Sequence, residues 1–582
     1  MKYKLIKPIN QKYSALEQIL FNRGIDEKDM QHYLHTTDKD INSFKLLGED
    51  VLKDAATALL TTIKDKKRTI VIVDGDCDGY TSAALLINYL HMLFPSWVEN
   101  YLTWIFHTGK QHGLNDCIDY LLKEDVSLIL CPDSSSNDYI EHKKLKEMNK
   151  TVLVMDHHQA EKISKDAIII NNQLSNYPNK ALSGVGVTWQ FCNYLDFLIG
   201  EEYSNNFLDL VALGLVGDMM DIRSFETKHL INKGFEYDNV NNSFIYYMWQ
   251  KNKFKLGEEI TSWGAAFYIV PFVNAMVRSG TQEEKELLFD SMLDFRSNIE
   301  ILSNKRGHNF GETEPLYEQA LRACTNVKNR QTKEEQKGMT YLEEIIKNNN
   351  MLDNKVLLFI LEPNTLNRNI AGLIANRLMS KYQRPCCILF KAEDGYCRGS
   401  ARGYEKSGIK SFKDVCNNSS NCEFAVGHSN AFGLSIKNEE EFLTYLNECF
   451  KSINSEPIYS VDYIYKGNDV KPQDILDISN MDDLWGQGVE ESHIAIEYLK
   501  ITKDMVTLMS PDKNPTLKIT LPNKVCIIKF GSSEEEYFKF ISDGYTLINI
   551  VGTCNQNEWN GITTPQVFIT DYEILEKVKY YF

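Results

Sequence analysis

The sequence predicts an α/β protein: a parallel-sheet catalytic domain, a connecting helix, a smaller α/β domain and a C-terminal β-barrel. The first observation behind this is a set of short apolar runs, Thr69 to Val73, Val126 to Cys131, Thr151 to Met155 and Val211 to Leu215, each leading into acidic or histidine residues. Runs rich in Val and Ile suit strands covered on both faces of a parallel sheet. The second is an alternation of strand and helix patterns after residue 346, with Val356 to Leu361 and Cys386 to Phe390 as strands. The third is a change from residue 456 onward to β-rich segments punctuated by Pro, Gly and Asn: Val506 to Met509, Thr516 to Leu521, Val525 to Phe530 and Thr546 to Val551.

In chain order, residues 1–55 read as a helical lead-in and 56–285 as the catalytic domain. Within the latter, the first three apolar runs are expected to be buried strands, while Val211 to Leu215 fits a strand or a buried helix equally well. Residues 286–345 are charged, helical in pattern and poor in Pro and Gly, which predicts a long connecting helix rather than a floppy linker. Residues 346–455 form the smaller α/β domain and 456–582 the barrel, for which about five strands suffice.

Composition bounds the function. A chain of 582 residues is too long for one core and implies several domains. Its hydrophobic fraction of 43% and charged fraction of 25% are those of a soluble globular protein. A formal net charge of −17 argues against nonspecific duplex binding through a broad basic face. It leaves open a narrow channel where local Arg, Lys, metals and aromatics supply the attraction. The acidic runs Glu439-Glu440-Glu441 and Glu534-Glu535-Glu536 read as solvated faces. The 13 cysteines show no Cys-x-x-Cys pair and read as buried free thiols in a reducing compartment. Met1-Lys2-Tyr3-Lys4 lacks a signal-peptide core, and no stretch reaches the roughly 18 apolar residues needed to span a bilayer, so a cytoplasmic protein with no membrane association is expected.

The chemistry lies in four stretches: Asp74-Gly75-Asp76-Cys77-Asp78-Gly79, Pro132-Asp133-Ser134, Asp156-His157-His158 and Gly214-Leu215-Val216-Gly217-Asp218. In open parallel sheets ligands bind at the carboxyl ends of strands, so these groups are expected to converge. Carboxylate oxygens with one or two imidazoles suit Mn²⁺ or Mg²⁺ better than zinc. Two such ions about 3.5–4 Å apart can stabilise both the attacking and leaving oxygens of an in-line displacement at phosphorus. Asp133, isolated at a strand end, is the natural bridge. A calcium loop of the EF-hand type needs an acidic twelfth residue, and Leu85 stands there.

These motifs resemble the DHH phosphoesterase superfamily, and the rest of the chain, from about residue 30 to 575, resembles its RecJ branch of single-strand-specific exonucleases. Leu182-Ser183-Gly184-Val185-Gly186-Val187 and Asn274-Ala275-Met276-Val277-Arg278 are similar to further family elements, the latter with Val277 in place of a glycine. Ala371 to Arg377, Arg384-Pro385, Gly399-Ser400-Ala401-Arg402 and Gly427-His428-Ser429-Asn430-Ala431-Phe432-Gly433 resemble the substrate-binding domain DHHA1. Leu484 to Gly488 and Asn557 to Gly561 resemble the start and final hairpin of an OB-fold.

The resemblance implies one metal on Asp76, Asp133 and Asp218 and another on Asp78, Asp133 and His157, both Mn²⁺, with Mg²⁺ as the alternative. It places His158 against the scissile phosphate, with Asp156 orienting an imidazole and Asp74 supporting the cluster. Some family members carry a histidine where Ile72 stands here, so the first metal is expected to be weaker or more water-ligated. Arg278, Arg402, Ser400, Gly427 and His428 are the implied substrate-binding residues, because guanidinium groups hold phosphate bidentately and glycines admit it to backbone amides. Phe432 departs from the family's alanine and is expected to narrow that cradle or offer a stacking face. Trp559 or Tyr545 could stack on bases, but an aromatic in a small barrel more often belongs to its core.

The implied function is a 5′-to-3′ exonuclease of single-stranded DNA that releases mononucleotides in recombination, repair or replication, working with a helicase and a single-strand-binding protein. Two alternatives stand beside it: a phosphodiesterase of short oligoribonucleotides or cyclic dinucleotides, and an inactive nucleic-acid-binding scaffold.

Overall fold

The computed structural model describes residues 1–107, 112–160, 162–307, 309–405, 408–451, 458–510 and 513–579. By internal packing the chain forms two compact units, one of residues 31–332 and 483–489, the other of 1–30, 333–482 and 490–582.

The second unit holds the first strand, β1 (Lys2–Leu5), so the N-terminus opens on a strand where a helical lead-in is expected. The reason lies far along the sequence, because β1 pairs in parallel with residues 458–461. Arg23 then clamps buried Asp462 bidentately at 2.8 and 3.0 Å.

The unit of residues 31–332 carries a five-stranded sheet of β2 (Thr69–Val73), β3 (Leu102–Phe106), β4 (Leu128–Pro132), β5 (Thr151–Asp156) and β6 (Ile168–Asn171), in the order β3-β2-β4-β5-β6. Every pairing is parallel. β2 is buried along its whole length, as a Thr-Ile-Val-Ile-Val run covered on both faces must be. The fourth apolar run resolves as a helix, Leu208–Gly217. Its ten residues exceed a typical buried strand, and its Leu and Ala content favours a helix. It packs beside the helices Cys77–Leu93 and Gly184–Ile199.

The segment expected to be one connecting helix is broken. A helix at Gln282–Met292 is followed by a small hairpin of β7 (Glu300–Leu302) and β8 (Thr313–Pro315), and the long helix begins only at Leu316, running to Asn348. Buried Glu314 pins the hairpin to that helix through Arg322, whose Nη1 donates to it at 2.7 Å.

The smaller α/β region has β9 (Leu357–Leu361), β10 (Cys386–Lys391), β11 (Cys397–Arg402), β12 (Cys422–His428) and β13 (Ala431–Ile436) in the order β12-β13-β11-β10-β9. After β14 (Ile458–Val461), the C-terminal OB-like region is built from β15 (Tyr463–Lys466), β16 (His493–Ile501), β17 (Val506–Met509), β18 (Thr516–Thr520), β19 (Cys526–Phe530), β20 (Tyr545–Trp559) and β21 (Ile562–Val578). These seven strands, two more than expected, form one sheet in the order β15-β16-β20-β21-β19-β18-β17. Asn560 and Gly561 join the last two strands with φ of +51° and +74°, the left-handed pair that a tight two-residue hairpin demands.

All 13 cysteines are free, and most are buried. Among the described residues no helix is long and apolar enough to cross a membrane.

Candidate metal centre

The strand ends place the acidic groups. Asp74 follows β2, Asp133 follows β4 and Asp156 ends β5, and these are three adjacent strands of one sheet. Asp76 caps the helix Cys77–Leu93, accepting from the Gly79 N–H at 3.1 Å, and Asp78 sits in its first turn. Of the two elements open to the fourth run, the structure has the helix, Leu208–Gly217, and Asp218 follows its end. Asp133 takes a left-handed φ of +67°. That conformation costs about 1–3 kcal/mol in a non-glycine residue and is tolerated where the surroundings hold it. Its N–H donates to the Met155 carbonyl at 2.7 Å.

His157 is the focus of the cluster. Its Nε2 lies 3.3 Å from Asp133 Oδ1, 3.3 Å from Asp218 Oδ2 and 4.0 Å from Asp78 Oδ2. Asp78 is held from behind by the start of the helix Gly184–Ile199, where Ser183 Oγ donates to Oδ1 at 2.9 Å and the Gly184 N–H to Oδ2 at 2.7 Å. Glycines make the room. A Cβ on Gly184 would fall 2.3 Å from Asp133 Oδ1, and one on Gly214 would fall 2.5 Å from Asp78 Oδ1. Ser183, Gly184 and Gly214 therefore have roles that motif matching leaves unassigned and that packing reveals.

The electrostatics are those of a site built for cations. Burial, then the charges of Asp78, Asp76, Asp74 and Asp218, drive the Asp133 carboxyl far above its ordinary range. Burial and Asp78 push Asp218 up to about 8, and burial with Asp74 and Asp78 also raises Asp76. Burial holds His157 below its ordinary value, which keeps a lone pair available. Asp133 Oδ1 and His157 Nε2 are buried without a hydrogen-bond partner although they face each other. Buried polar atoms are seldom left so, and a divalent cation between oxygen and imidazole donors satisfies both. The residues present therefore fit the metals expected.

Asp156 behaves differently. Burial alone would raise it, but the hydrogen bond and charge of His158 hold it well below the usual carboxylate range. It accepts from Ser136 N–H, from the His157 and His158 backbone N–H groups, and from His158 Nδ1 at 2.7 Å. His158 is thus oriented by a buried carboxylate while half its side chain stays exposed.

The sequence partition pairs Asp218 with Asp76. In the structure the donor atoms of Asp78, His157 and Asp218 lie within 4.8 Å of one another, as do those of Asp74, Asp76 and His112. His112 was not foreseen, because it lies at no strand end and belongs to no motif. Ile72 is buried in the sheet core and offers no ligand.

The profile of the DHH family, N-terminal domain, matches residues 68–215, which hold the first three stretches and end within the fourth, before Asp218. The "Putative SPbeta prophage-derived single-strand DNA-specific exonuclease YorK" of Bacillus subtilis is 32% identical over 99% of this chain and 98% of its own length. This chain belongs to the RecJ-like DHH family. A more distant relative of this family member, the single-stranded-DNA-specific exonuclease RecJ of Bacillus subtilis, is 25% identical over 99% of the chain and 71% of its own. The fold agrees with RecJ of Thermus thermophilus in complex with Mn²⁺, at a TM-score of 0.71 and 17% identity over 97% of this chain and 76% of that one.

The expected substrate-binding residues of the RecJ-like chain fall in both units. Arg278, on the helix Val270–Ser279, stands in the same unit as the metal centre and feels the charge of Asp76. Val277, in place of the family glycine, is buried. In the other unit Arg402 and His428 face Ala431 across β11, β13 and β12, forming one cross-strand row. Ser400 lies two residues along on the same face as Arg402. Gly427 has φ +132°, and a Cβ there would lie 2.9 Å from the Ala431 carbonyl. Gly372 is equally tight, its Cβ position being 2.6 Å from Arg402 Nη2. Phe432 neither narrows a cradle nor offers a stacking face, because it points to the opposite side and is buried against Phe412. Trp559 reverses the other expectation, being 74% exposed instead of in the core.

Proposed function

We infer that this protein is a divalent-metal-dependent exonuclease that degrades single-stranded DNA. The observation that carries the reading is the convergence of Asp78, Asp133, His157 and Asp218, with orphaned buried donor atoms, in a chain aligned over 99% of its length with a relative named for that activity. When bound, two divalent cations would supply a water of lowered pKa and offset charge on the phosphoryl oxygens. Asp78, fixed by Ser183 and Gly184, and Asp133, fixed by its strained backbone, hold their oxygens in place beforehand. His158, steered by Asp156, presents its ring towards a non-bridging phosphate oxygen, and Arg278 adds positive charge beside Asp76. Arg402, Ser400, Gly427 and His428 grip the phosphates of the strand end.

The finer reading is 5′-to-3′ polarity with mononucleotide release, Mn²⁺ as the preferred ion, and a cytoplasmic setting. Because a duplex is not a substrate in this reading, a helicase and a single-strand-binding protein would deliver the strand for recombination, repair or replication. The OB-like C-terminal region, with Trp559 at the tip of its long hairpin, supports long-strand binding over short oligoribonucleotides or cyclic dinucleotides.

The test is digestion of oligonucleotides labelled at either end, single-stranded or blunt duplex, with Mn²⁺, Mg²⁺ or a chelator. The expected outcome is stepwise loss from the 5′ end of single strands only, fastest with Mn²⁺. Equal attack on blunt duplex, or activity in chelator, would refute it.

A further inference from the structure

His112 belongs to none of the four motifs, yet one of its ring nitrogens and one carboxylate oxygen each from Asp74 and Asp76 lie within 4.8 Å of one another. We propose that His112 is a metal-ligating residue, supplying the imidazole for the cation held by Asp76, with Asp74 as the buried carboxylate that orients its ring. The proposal rests on the metal-centre reading above and assigns a ligand that this reading lacks.

The geometry of the pair carries the argument. Asp74 is fully buried, and its Oδ2 lies 2.5 Å from His112 Nδ1. A carboxylate at Nδ1 keeps the ring proton there and puts the lone pair on Nε2, the tautomer that metal-ligating histidines use. Asp156 fixes His158 by the same kind of contact, 2.7 Å, two strands away across β4. The sheet thus sets a carboxylate-anchored imidazole on each side of Asp133.

Asp74 is itself fixed. The Gly113 N–H donates to Oδ1 at 3.4 Å, and His107 Nε2 stands 3.5 Å from the same oxygen. His107 is a second imidazole, a buried one, turned on this cluster. Its side chain is only 1% exposed, its Nδ1 engages Asp116 at 2.7 Å, and its Nε2, aimed at Asp74, lacks a hydrogen-bond partner. The backbone beside His112 is pinned as well, because the Leu114 N–H donates to Asp138 at 2.8 Å and a Cβ on Gly113 would strike that carboxylate at 2.4 Å. A loop held this closely suits a ligand better than a solvated surface histidine.

Each donor set then holds one imidazole: His157 beside Asp78 and Asp218, and His112 beside Asp76, with Asp74 behind the His112 ring. Asp133 stands between them, because β4 lies between β2 and β5. Without His112 the second set would offer oxygen alone.

The experiment titrates the full-length, metal-stripped protein with Mn²⁺ alone, by calorimetry and electron paramagnetic resonance, without nucleic acid. Wild type should take up two ions, and spin-echo modulation should show directly bound histidine nitrogen at both. In His112→Ala one site should weaken by about 10–100-fold with loss of its nitrogen coupling, while the other stays within about twofold. Asp74→Asn should weaken the same site by about tenfold, and this variant with the wild-type spectrum decides the matter if His112→Ala fails to fold. Two ions bound by His112→Ala with wild-type affinity and unchanged nitrogen coupling would overturn the proposal alone. No Mn²⁺ uptake by wild type would overturn the metal-centre reading with it.

Discussion

The metal centre and the face of Arg402 and His428 handle charge in opposite ways. In the first, Asp133 and His157 are buried with donor atoms that no described residue satisfies, and burial with neighbouring carboxylates raises the proton affinity of Asp76, Asp133 and Asp218. In the second, His428 is exposed and Arg402 has an ordinary partner, its Nη1 donating to the Ala401 carbonyl at 2.8 Å. The difference teaches where rigidity is needed. Chemistry at phosphorus requires donor atoms fixed before substrate arrives, and the fold pays for that with strain and repulsion. A face proposed to grip a strand needs positive charge within reach and little else.

The largest effect should come from Asp133→Ala, which removes the carboxylate between both donor sets. Hydrolysis of single strands should fall at least about a thousandfold, equivalent to about 4 kcal/mol of transition-state stabilisation. Single-strand binding should persist, and metal-free protein should melt no lower than wild type, because the lost carboxyl is one whose ionised form burial and its acidic neighbours oppose. A clear drop in the melting temperature of the metal-free variant would contradict the contrast.

A buried carboxylate with its own partner tests the other half of the idea. Arg322 and, next, burial act oppositely on Glu314, and the hydrogen bond to Arg322 wins, holding its pKa down at about 2. Because the folded value is depressed, this pair stabilises the protein above pH about 4.5 and its contribution fades as pH falls towards 2. Arg322→Met should cost about 3 kcal/mol at neutral pH in denaturant titration, and less at pH 3, while leaving Mn²⁺ uptake intact.

Gly184→Ala should destabilise by about 2 kcal/mol, since the added methyl meets Asp133 at 2.3 Å, and should cut turnover by about a hundredfold through displacement of that carboxylate. Equal turnover would mean that Asp133 tolerates movement. The smallest effect is expected from Arg402→Ala, a rise in KM of roughly tenfold with kcat within about twofold, read from steady-state digestion of a labelled strand. A fall in kcat instead would place Arg402 in the transition state and erase the distinction between the two regions.

Much of the centre was legible because strand and motif coincide. A short, continuous run rich in Val and Ile such as Thr-Ile-Val-Ile-Val suits a buried parallel strand, and a parallel sheet delivers the residues after each strand to one edge. Asp74, Asp133 and Asp156 could therefore be placed from order alone. Asp218 was found by its motif but not its element, since an apolar run buried on all sides looks alike in strand and helix. The N-terminal strand was hidden because its partner lies some 450 residues away, and an alternation of only four residues, Lys-Tyr-Lys-Leu, is too short to stand out without it. Phe432 was misread because the face it takes is set by pairing with β11, where Ala401 opposite it turns to the core.

What the sequence determined by itself was the donor chemistry: carboxylates and imidazoles at strand ends, in an order that matches the RecJ-like DHH family. Tertiary structure decided how those donors are shared out, with Asp218 beside His157 and Asp78, and His112 brought to Asp74 from outside every motif. The physical reason is that strand ends fix where a side chain begins, whereas the few ångströms separating one ligand set from another depend on helices and loops arriving from elsewhere. Gly184 and Gly214 do this work silently, for only packing reveals that a methyl group at either place would strike a carboxylate.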